Sequence, residues 1–197
     1  MTTGSSDETR PSLANRYPAL LLLLAVVAVV LTADLTSKAL AFEYVLDFPV
    51  HLSRHSEVEP HQIPPHEPVT LVPGVLALKL TTNTGAVFGL GKGGQAVFIG
   101  VSLIAIAALG WVFWRSPPTF WLYHVGLGLM LAGALGNLFD RIRFNAVRDL
   151  LWLFPGTGLW RWLFNIADVA LVAGVAMLLV ISWWSERRSP APETTHG

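Results

Sequence analysis

Four apolar runs, each close to the roughly 20 residues that an α-helix needs to cross a bilayer, constrain this chain more than any other feature. They cover residues 17–33, which can extend toward 42, and residues 96–114, 120–139 and 163–184. Because only helices and closed barrels satisfy their backbone hydrogen bonds in lipid, the runs are predicted to be four transmembrane α-helices. Only 13% of the residues are charged, about half the fraction that is usual in soluble domains. The net charge of zero argues against a nucleic-acid partner, which needs a basic surface.

The rest of the chain predicts one membrane domain with two polar tails. Residues 1–16 and 186–197 are polar and are expected to be disordered. Residues 17–185 then form the domain. The sequence "RSPP" (115–118) is a tight connection between the second and third helices.

Two long connections therefore lie on the side of the membrane opposite to both termini. In the first, residues 43–95, the stretch 43–68 is rich in Pro and His without periodicity and is predicted to be a loop. "VLALKLTT" (75–82) alternates and is rich in β-formers, so it predicts a short strand that ends in an Asn-Thr-Gly turn. The second connection covers about 142–161. We expect a small β-sheet at the membrane surface.

The distribution of Lys and Arg residues does not settle which side of the membrane the termini face. Five Lys and Arg residues fall on the side of the termini and eight on the opposite side, so the positive-inside rule does not favour cytoplasmic termini. The first run also resembles a signal peptide with a cleavage site at 39–41. However, the apolar stretch is long for a signal peptide, and Asp34 and Lys38 lie between it and that site. An uncleaved first helix is the better interpretation.

Polar and ionisable residues gather at one end of the predicted bundle. They are Asp34 and Lys38 on the first helix, Asn137, Asp140 and Arg141 on the third, Asp149 in the second long connection, and Asn165 and Asp168 on the fourth. With alternating helix directions, all of them come to the same side of the membrane. Such residues are costly in lipid and usually functional.

Structural explanations compete with functional ones in this cluster. Asp34 and Lys38, at i and i+4, could form a surface ion pair of small energetic value. The polar residues of the third helix could tie helices together, and Asn165 could make an interhelical hydrogen bond. Asp149 and Asp168 are harder to explain in this way, because neither has a cation at i+4.

Paired carboxylates have a definite chemistry. Two neighbouring Asp side chains share one proton, so one can activate water while the other polarises a peptide carbonyl. The chain has no Cys, no HExxH and no GxSxG, so the usual thiol, zinc and serine alternatives are missing.

Other patterns have simpler explanations. Small residues that favour close helix packing recur along the third helix: Gly126, Gly128, Gly133 and Gly136. Four histidines fall in the Pro-rich loop: His51, His55, His61 and His66. Their spacing implies no fixed ligand geometry, so no metal or cofactor is predicted. "GLGKGG" (89–94) lacks the Walker spacing and is expected to be a flexible entry to the second helix.

Five motifs, in order and together with four spans, resemble one family, the bacterial lipoprotein signal peptidases, or signal peptidase II. They are "DLTSKAL" (34–40), "LVPGVLALKLTTNTGAVFGL" (71–90), "GALGNLFDRI" (133–142), "VRDLL" (147–151) and "FNIADVAL" (164–171). The resemblance covers about residues 17–185.

The resemblance implies a mostly α-helical aspartic peptidase with four transmembrane helices and a small extracytoplasmic β-sheet. It implies Asp149 and Asp168 as the catalytic dyad. Residues that match positions holding the substrate or the dyad are Asn83, Gly85, Asn137, Arg141 and Asn165. Residues that match structural or indirect support are Asp34, Lys38 and Asp140.

The resemblance also implies a substrate and a location. The substrate is a prolipoprotein whose cysteine carries diacylglycerol, and the cut falls just before that cysteine. The enzyme needs no cofactor and contacts membrane lipid, and we expect a monomer. It lies in the bacterial inner membrane with both termini in the cytoplasm and the dyad near the outer face.

The chain departs from the family pattern at three places. Thr82 stands where the family commonly has Arg before the turn Asn, which leaves one substrate or lipid contact in question. Val87 replaces a more frequent Ala, and residues 43–68 resemble an insertion.

Two other classes of protein compete with the peptidase. A transporter or proton relay would also carry intramembrane Asp residues, but it needs polar groups along a path across the membrane, and "LVAGVAMLLVISWW" (171–184) has no ionisable group. A noncatalytic assembly protein could use the cluster only for helix packing.

Overall fold

The computed structural model describes residues 13–52, 63–85 and 94–188. Predictions that lie outside these residues concern 1–12, His55, His61, Val87, 89–93 and 189–197. The described elements, in chain order, are α1 (Leu13–Tyr44), β1 (Val69–Val72), β2 (Leu76–Asn83), α2 (Gly94–Arg115), α3 (Trp121–Phe144), β3 (Val147–Leu153), β4 (Leu163–Phe164) and α4 (Ile166–Arg188).

The four predicted membrane helices and the small sheet are confirmed. All four helices are long and apolar enough to span a bilayer. The boundaries differ in places, because α3 continues to Phe144 and α4 begins only at Ile166. Residues 163–164, assigned to the fourth helix from hydropathy, form β4 instead. The second long connection contains β3, a strand that the sequence analysis did not predict.

Helix α3 lies at the centre of the bundle and contacts the other three helices. Its glycines make this possible, as expected. A Cβ atom at Gly133 would collide with the backbone oxygen of Ala167, and one at Gly126 would lie 2.9 Å from a methyl group of Leu178. The short distance between α3 and α4 places polar groups of both helices in direct contact.

The sheet is antiparallel, with the strand order β1-β2-β3-β4. Strands β1 and β2 lie between α1 and α2 in the chain, and β3 and β4 lie between α3 and α4. We call the end of the helical bundle that carries these strands the sheet end. The register of β2 and β3 pairs Thr81 with Asp149 and Thr82 with Arg148. Consecutive residues point to opposite faces of a sheet, so Asp149 and Arg148 lie on different faces.

Apolar packing joins the sheet to α1. Phe42, at the end of α1, is buried together with Leu80 of β2 and Leu150 of β3. At about 1.5 Å per residue, the 32 residues of α1 exceed the roughly 30 Å hydrocarbon core of a bilayer. One end of α1 can therefore extend beyond the lipid and support the sheet.

An exposed turn connects β3 to β4. Phe154 and Gly156 have positive φ angles, and the hydroxyl of Thr157 donates to the backbone oxygen of Phe154 at 2.8 Å. Leu159, in the same turn, is 76% exposed. Residues 156–162 are all exposed, so this turn contributes little to the packed part of the molecule.

Candidate active site

Asn165 is fully buried and caps the N-terminus of α4. Its Oδ1 accepts the backbone N–H of Asp168 at 2.9 Å, and Oδ2 of Asp168 accepts the backbone N–H of Asn165 at 3.2 Å. This reciprocal arrangement is a capping box. It fixes the carboxylate of Asp168 in the first turn of α4, where the helix dipole favours negative charge.

Asp149 reaches the same asparagine from β3. Nδ2 of Asn165 donates to Oδ1 of Asp149 at 2.7 Å. Asp149 is 2% exposed, whereas Asp168 is only partly buried. The structure therefore brings the two carboxylates together on one residue, and each binds a different N–H group of Asn165.

The surroundings of Asp149 favour its protonated form. Burial, and then the negative charge of Asp168, raise the pKa of Asp149 from 3.8 to about 7. A hydrogen bond from Asn165, the charge of Lys38 and a hydrogen bond from Asn83 act in the opposite direction. Asp149 can therefore hold or release a proton near neutral pH, beside a second carboxylate that can share it.

Asn83 is the last residue of β2 and begins the turn that follows it. Its Oδ1 accepts the backbone N–H of Gly85 at 2.9 Å. The hydrogen bond from Asn83 to Asp149 is therefore donated by the other side-chain atom, Nδ2. Gly85 has a φ angle of +74°, and a Cβ atom there would overlap the ring of Phe98. The positive φ and the missing side chain both explain why a glycine is needed at this position.

Asn137 joins α3 to the pair. Its Nδ2 donates to Oδ1 of Asp168 at 2.8 Å, and its Oδ1 accepts from Nδ2 of Asn165 at 3.2 Å. Nζ of Lys38 lies 3.4 Å from the same Oδ1 atom. Each oxygen of Asp168 therefore has a hydrogen-bond donor, which holds its carboxylate in one orientation.

Asp34, Lys38 and Asp140 form a buried ionic group that contacts Asn137 through Lys38. Nζ of Lys38 lies 2.7 Å from Asp34 and 3.2 Å from Asp140, and all three side chains are fully buried. Oδ1 of Asp34 accepts the backbone N–H of Ala167 at 2.9 Å. The interpretation of Asp34 and Lys38 as a surface ion pair is wrong, because both side chains are fully buried and contact α3 and α4. Their contacts tie α1 to the start of α4.

Arg141 lies near the site without a direct bond to either carboxylate among the described residues. The charges of Asp168, Asp149 and Asp140 all act on its guanidinium. The group lies 5.3 Å from the ring centre of Phe98, and its Nη1 is 3.4 Å from the backbone oxygen of Asn137. Its buried Nε has no hydrogen-bond partner among the described residues.

Two residues that the sequence analysis did not select also contact this region. Arg148 forms a buried ion pair with Asp140, and the signal for it was a charged residue inside the apolar stretch "VRDLLWL". Gln95, at the start of α2, donates from Nε2 to the backbone oxygen of Thr84 at 2.7 Å. Its signal was weaker, since a polar residue just before an apolar run is common at the end of a membrane helix.

Among the loop histidines, His66 supports the sheet and not the site. The backbone N–H of Leu80 donates to Nε2 of His66 at 3.0 Å, and Nδ1 of His66 lies 2.9 Å from the backbone oxygen of Pro64. These bonds hold the stretch that precedes β1 against β2. Across residues 13–52, 63–85 and 94–188, no group of three or more His, Asp or Glu side chains has the arrangement of a metal site.

The fold and the site together define a multi-span membrane protein with a pair of carboxylates at one end of a helical bundle. Comparison with known proteins narrows this class. The family model "Signal peptidase (SPase) II" matches residues 26–184. The chain therefore belongs to the signal peptidase II family and is an aspartic peptidase, so the transporter and the noncatalytic assembly protein are both wrong.

Individual relatives agree with this assignment. The lipoprotein signal peptidase of Methylobacterium sp. (strain 4-46) is 40% identical over 134 residues, which are 66% of this chain and 78% of the relative. The lipoprotein signal peptidase of Gloeobacter violaceus is 38% identical over 135 residues, covering 66% of this chain and 74% of that one.

Solved structures show the same fold. A bacterial membrane enzyme determined by the in meso method at 2.3 Å resolution has a TM-score of 0.64 at 21% identity, covering 89% of this chain and 93% of that chain. A second structure, at 1.9 Å resolution, has a TM-score of 0.61 at 23% identity, covering 84% and 92%. The chain is a multi-pass bacterial membrane protein.

Proposed function

We propose that this protein removes the signal peptide from diacylglyceryl-modified prolipoproteins, cutting just before the lipidated cysteine, and that Asp149 and Asp168 activate the water that attacks. One observation carries the assignment of these residues. Both carboxylates bind Asn165, so they lie within reach of one water molecule and one peptide bond.

The raised pKa of Asp149 supports a division of roles at neutral pH. Asp149 holds the proton that the pair shares, and Asp168 accepts a proton from the attacking water. The hydroxide adds to the carbonyl carbon while Asp149 protonates the carbonyl oxygen. When the tetrahedral intermediate collapses, Asp168 protonates the leaving amine and Asp149 recovers a proton from a hydroxyl of the intermediate.

The surrounding residues have positioning roles in this proposal. Asn165 and Asn137 hold the two carboxylates by hydrogen bonds. Asn83 and Gly85 form the turn beside Asp149, and Arg141 supplies positive charge next to the pair. Peptide and carbonyl groups of the substrate are the natural partners of this polar surface.

The location of the enzyme is part of the same proposal. We infer that the sheet end faces the outer side of the inner membrane, that both termini are cytoplasmic, and that the enzyme acts as a monomer. The lipid chains of the substrate then remain in the bilayer while its peptide enters beside Asn83. The count of basic residues, five on the side of the termini and eight on the opposite side, does not itself favour cytoplasmic termini.

Cleavage by the purified full-length protein in detergent tests the proposal. Asp149→Asn and Asp168→Asn should each lower the turnover of a diacylglyceryl-modified precursor by about 10²–10⁴-fold, the usual contribution of a general acid or base. Asp47→Asn, which changes an exposed carboxylate after α1, serves as the matched control and should leave turnover unchanged.

Two further measurements test whether the substrate must carry lipid and whether a metal ion takes part in the reaction. A precursor without the lipid should be cut much more slowly, and a chelator should have no effect. Normal turnover by both Asp variants would reject the pair as the catalytic group.

A further inference from the structure

Arg148 is attached to Asp140 by three separate hydrogen bonds. Its backbone N–H donates to Oδ2 of Asp140 at 3.0 Å, and its Nε and Nη2 donate to Oδ1 at 3.1 and 2.8 Å. Arg148 is 7% exposed, and its guanidinium lies 4.4 Å from the ring centre of Phe144. The two guanidinium donors converge on one oxygen of Asp140 and the backbone N–H takes the other, so the pair fixes geometry as well as charge.

The same residue is held at its carbonyl end. The backbone oxygen of Arg148 accepts from Nδ2 of Asn165 at 3.3 Å, the atom that also donates to Asp149. The backbone of Arg148, which precedes Asp149, is therefore fixed at its N–H group by Asp140 of α3 and at its carbonyl group by Asn165. A change in the position of Arg148 moves the next residue, Asp149, with it.

Arg148 also balances the buried charges of this end of the bundle. Lys38 contacts both Asp34 and Asp140, so one cation faces two carboxylates. Arg148 supplies the second cation through its bond to Asp140. A buried carboxylate that loses a partner is strongly unfavourable. Without Arg148, Asp140 would keep only its contact with Lys38 and would lose its hydrogen bonds to β3.

We propose that Arg148 is a positioning residue for the cleavage reaction, which holds the start of β3 on Asp140 of α3 and so fixes the carboxylate of Asp149 against Asn165. This inference rests on the proposed function, in which Asp149 is catalytic. Arg148 itself lies on the opposite face of β3 and does not touch the reacting atoms.

The register of β2 and β3 offers a way to distinguish positioning of Asp149 by Arg148 from a general contribution of Arg148 to the stability of the fold. Thr82 lies directly opposite Arg148 on the neighbouring strand, and residues in such a pair have Cβ atoms about 5 Å apart on the same face. An arginine at 82 can therefore reach the same carboxylate from the other strand.

Three variants test the inference. Arg148→Gln removes the ion pair, Arg148→Lys keeps the charge without the fork of donors, and the exchange Thr82→Arg/Arg148→Thr moves the guanidinium to β2. Arg143→Gln is the matched control, because Arg143 stacks on Phe144 at 5.3 Å but pairs with no carboxylate among the described residues.

The measurements are kcat and KM for a diacylglyceryl-modified precursor, together with the melting temperature of each variant. Arg148→Gln should lower kcat by about 10–100-fold, the effect of a misplaced reacting group, with KM changed by less than about twofold, as for a step that affects chemistry and not binding. Arg148→Lys should fall between Arg148→Gln and the parent protein. The exchange variant should recover most of the lost kcat, and the control should match the parent protein.

The inference is overturned if Arg148→Gln retains full kcat. It is also overturned if kcat falls only in proportion to the loss of folded protein and the exchange variant restores neither kcat nor the melting temperature. The Asp149→Asn variant separates this failure from that of the proposed function. If Asp149→Asn is inactive while Arg148→Gln is fully active, only the role of Arg148 is rejected.

Discussion

Replacing Asp149 with asparagine should lower cleavage by about 10²–10⁴-fold and, at alkaline pH, make the protein more stable. The reason is the cost of keeping a carboxylate in a buried site beside Asp168, which raises the pKa of Asp149 from 3.8 to about 7. The folded protein binds this proton more tightly than the unfolded chain does. The contribution of Asp149 to stability is therefore highest below about pH 4, falls as the pH rises through the folded pKa near 7, and stays low above it.

The size of the effect follows from the shift in pKa. A rise of about three pH units, at about 1.4 kcal/mol per unit, corresponds to a loss of about 4 kcal/mol above neutral pH. Between about pH 5 and pH 8 the loss is about 3 kcal/mol, because roughly one unit of the shift lies below pH 5. The side chain of asparagine carries no charge, so the Asp149→Asn variant escapes this loss.

Thermal unfolding in detergent at about pH 5 and pH 8 measures this difference. The gain in melting temperature of Asp149→Asn over the parent protein should be larger at the higher pH by roughly 6–12 °C, from about 2–4 °C per kcal/mol for a chain of this size. Comparing the two pH values cancels the effect of altered hydrogen bonds to Asn165. Asp47→Asn, at an exposed carboxylate, controls for the loss of one charge. An equal gain at both pH values would refute the reasoning.

Two further predictions concern proton transfer and helix packing. If the shared proton resides on Asp149, kcat/KM should fall toward about tenfold per pH unit above about pH 7, and a flat profile through the alkaline range would contradict that role. Gly133→Ala should destabilise the protein by about 1–3 kcal/mol, since the new Cβ atom meets the backbone oxygen of Ala167 and lies 2.7 Å from Leu171. Gly100→Ala in α2, where no described atom lies within 4 Å of the added Cβ, is the control, and equal melting temperatures for the two variants would count against tight α3–α4 packing.

The membrane helices could be predicted because lipid leaves the backbone few choices. An apolar run of sufficient length must become a helix or part of a barrel, so four spans followed from hydropathy alone. The end points could not be found in the same way. Leu163 and Phe164 are as apolar as the residues of α4, yet they pair with β3, and Asn165 sets the start of the helix as its cap.

Strand β3 was not predicted because polar and apolar residues do not alternate along it. "VRDLLWL" has two adjacent charged residues and then a continuous apolar run, and neither pattern has the period of two that indicates a half-buried strand. Burial on both faces explains this, since Arg148 and Asp149 are buried on opposite sides of the strand. Pairing with β2 and contacts with α3, which depend on the tertiary fold, stabilise it.

The composition of the polar cluster was predictable, but its connections were not. Alternating helix directions brought Asp34, Lys38 and Asp168 to one end, as expected. No pattern in the chain indicated that Asp34 would bind the backbone of Ala167, some 133 positions away. Nor did any pattern indicate that Asn165 would contact both carboxylates, because that contact needs β3 to lie beside the first turn of α4.

The exposed turn between β3 and β4 has a practical consequence for the orientation of the enzyme in its membrane. The chain contains no cysteine, so Leu159→Cys, at a position 76% exposed, would introduce the molecule's only thiol. A maleimide that cannot cross bilayers would then react from one compartment alone, and the sidedness of the labelling would reveal which solution the sheet end faces.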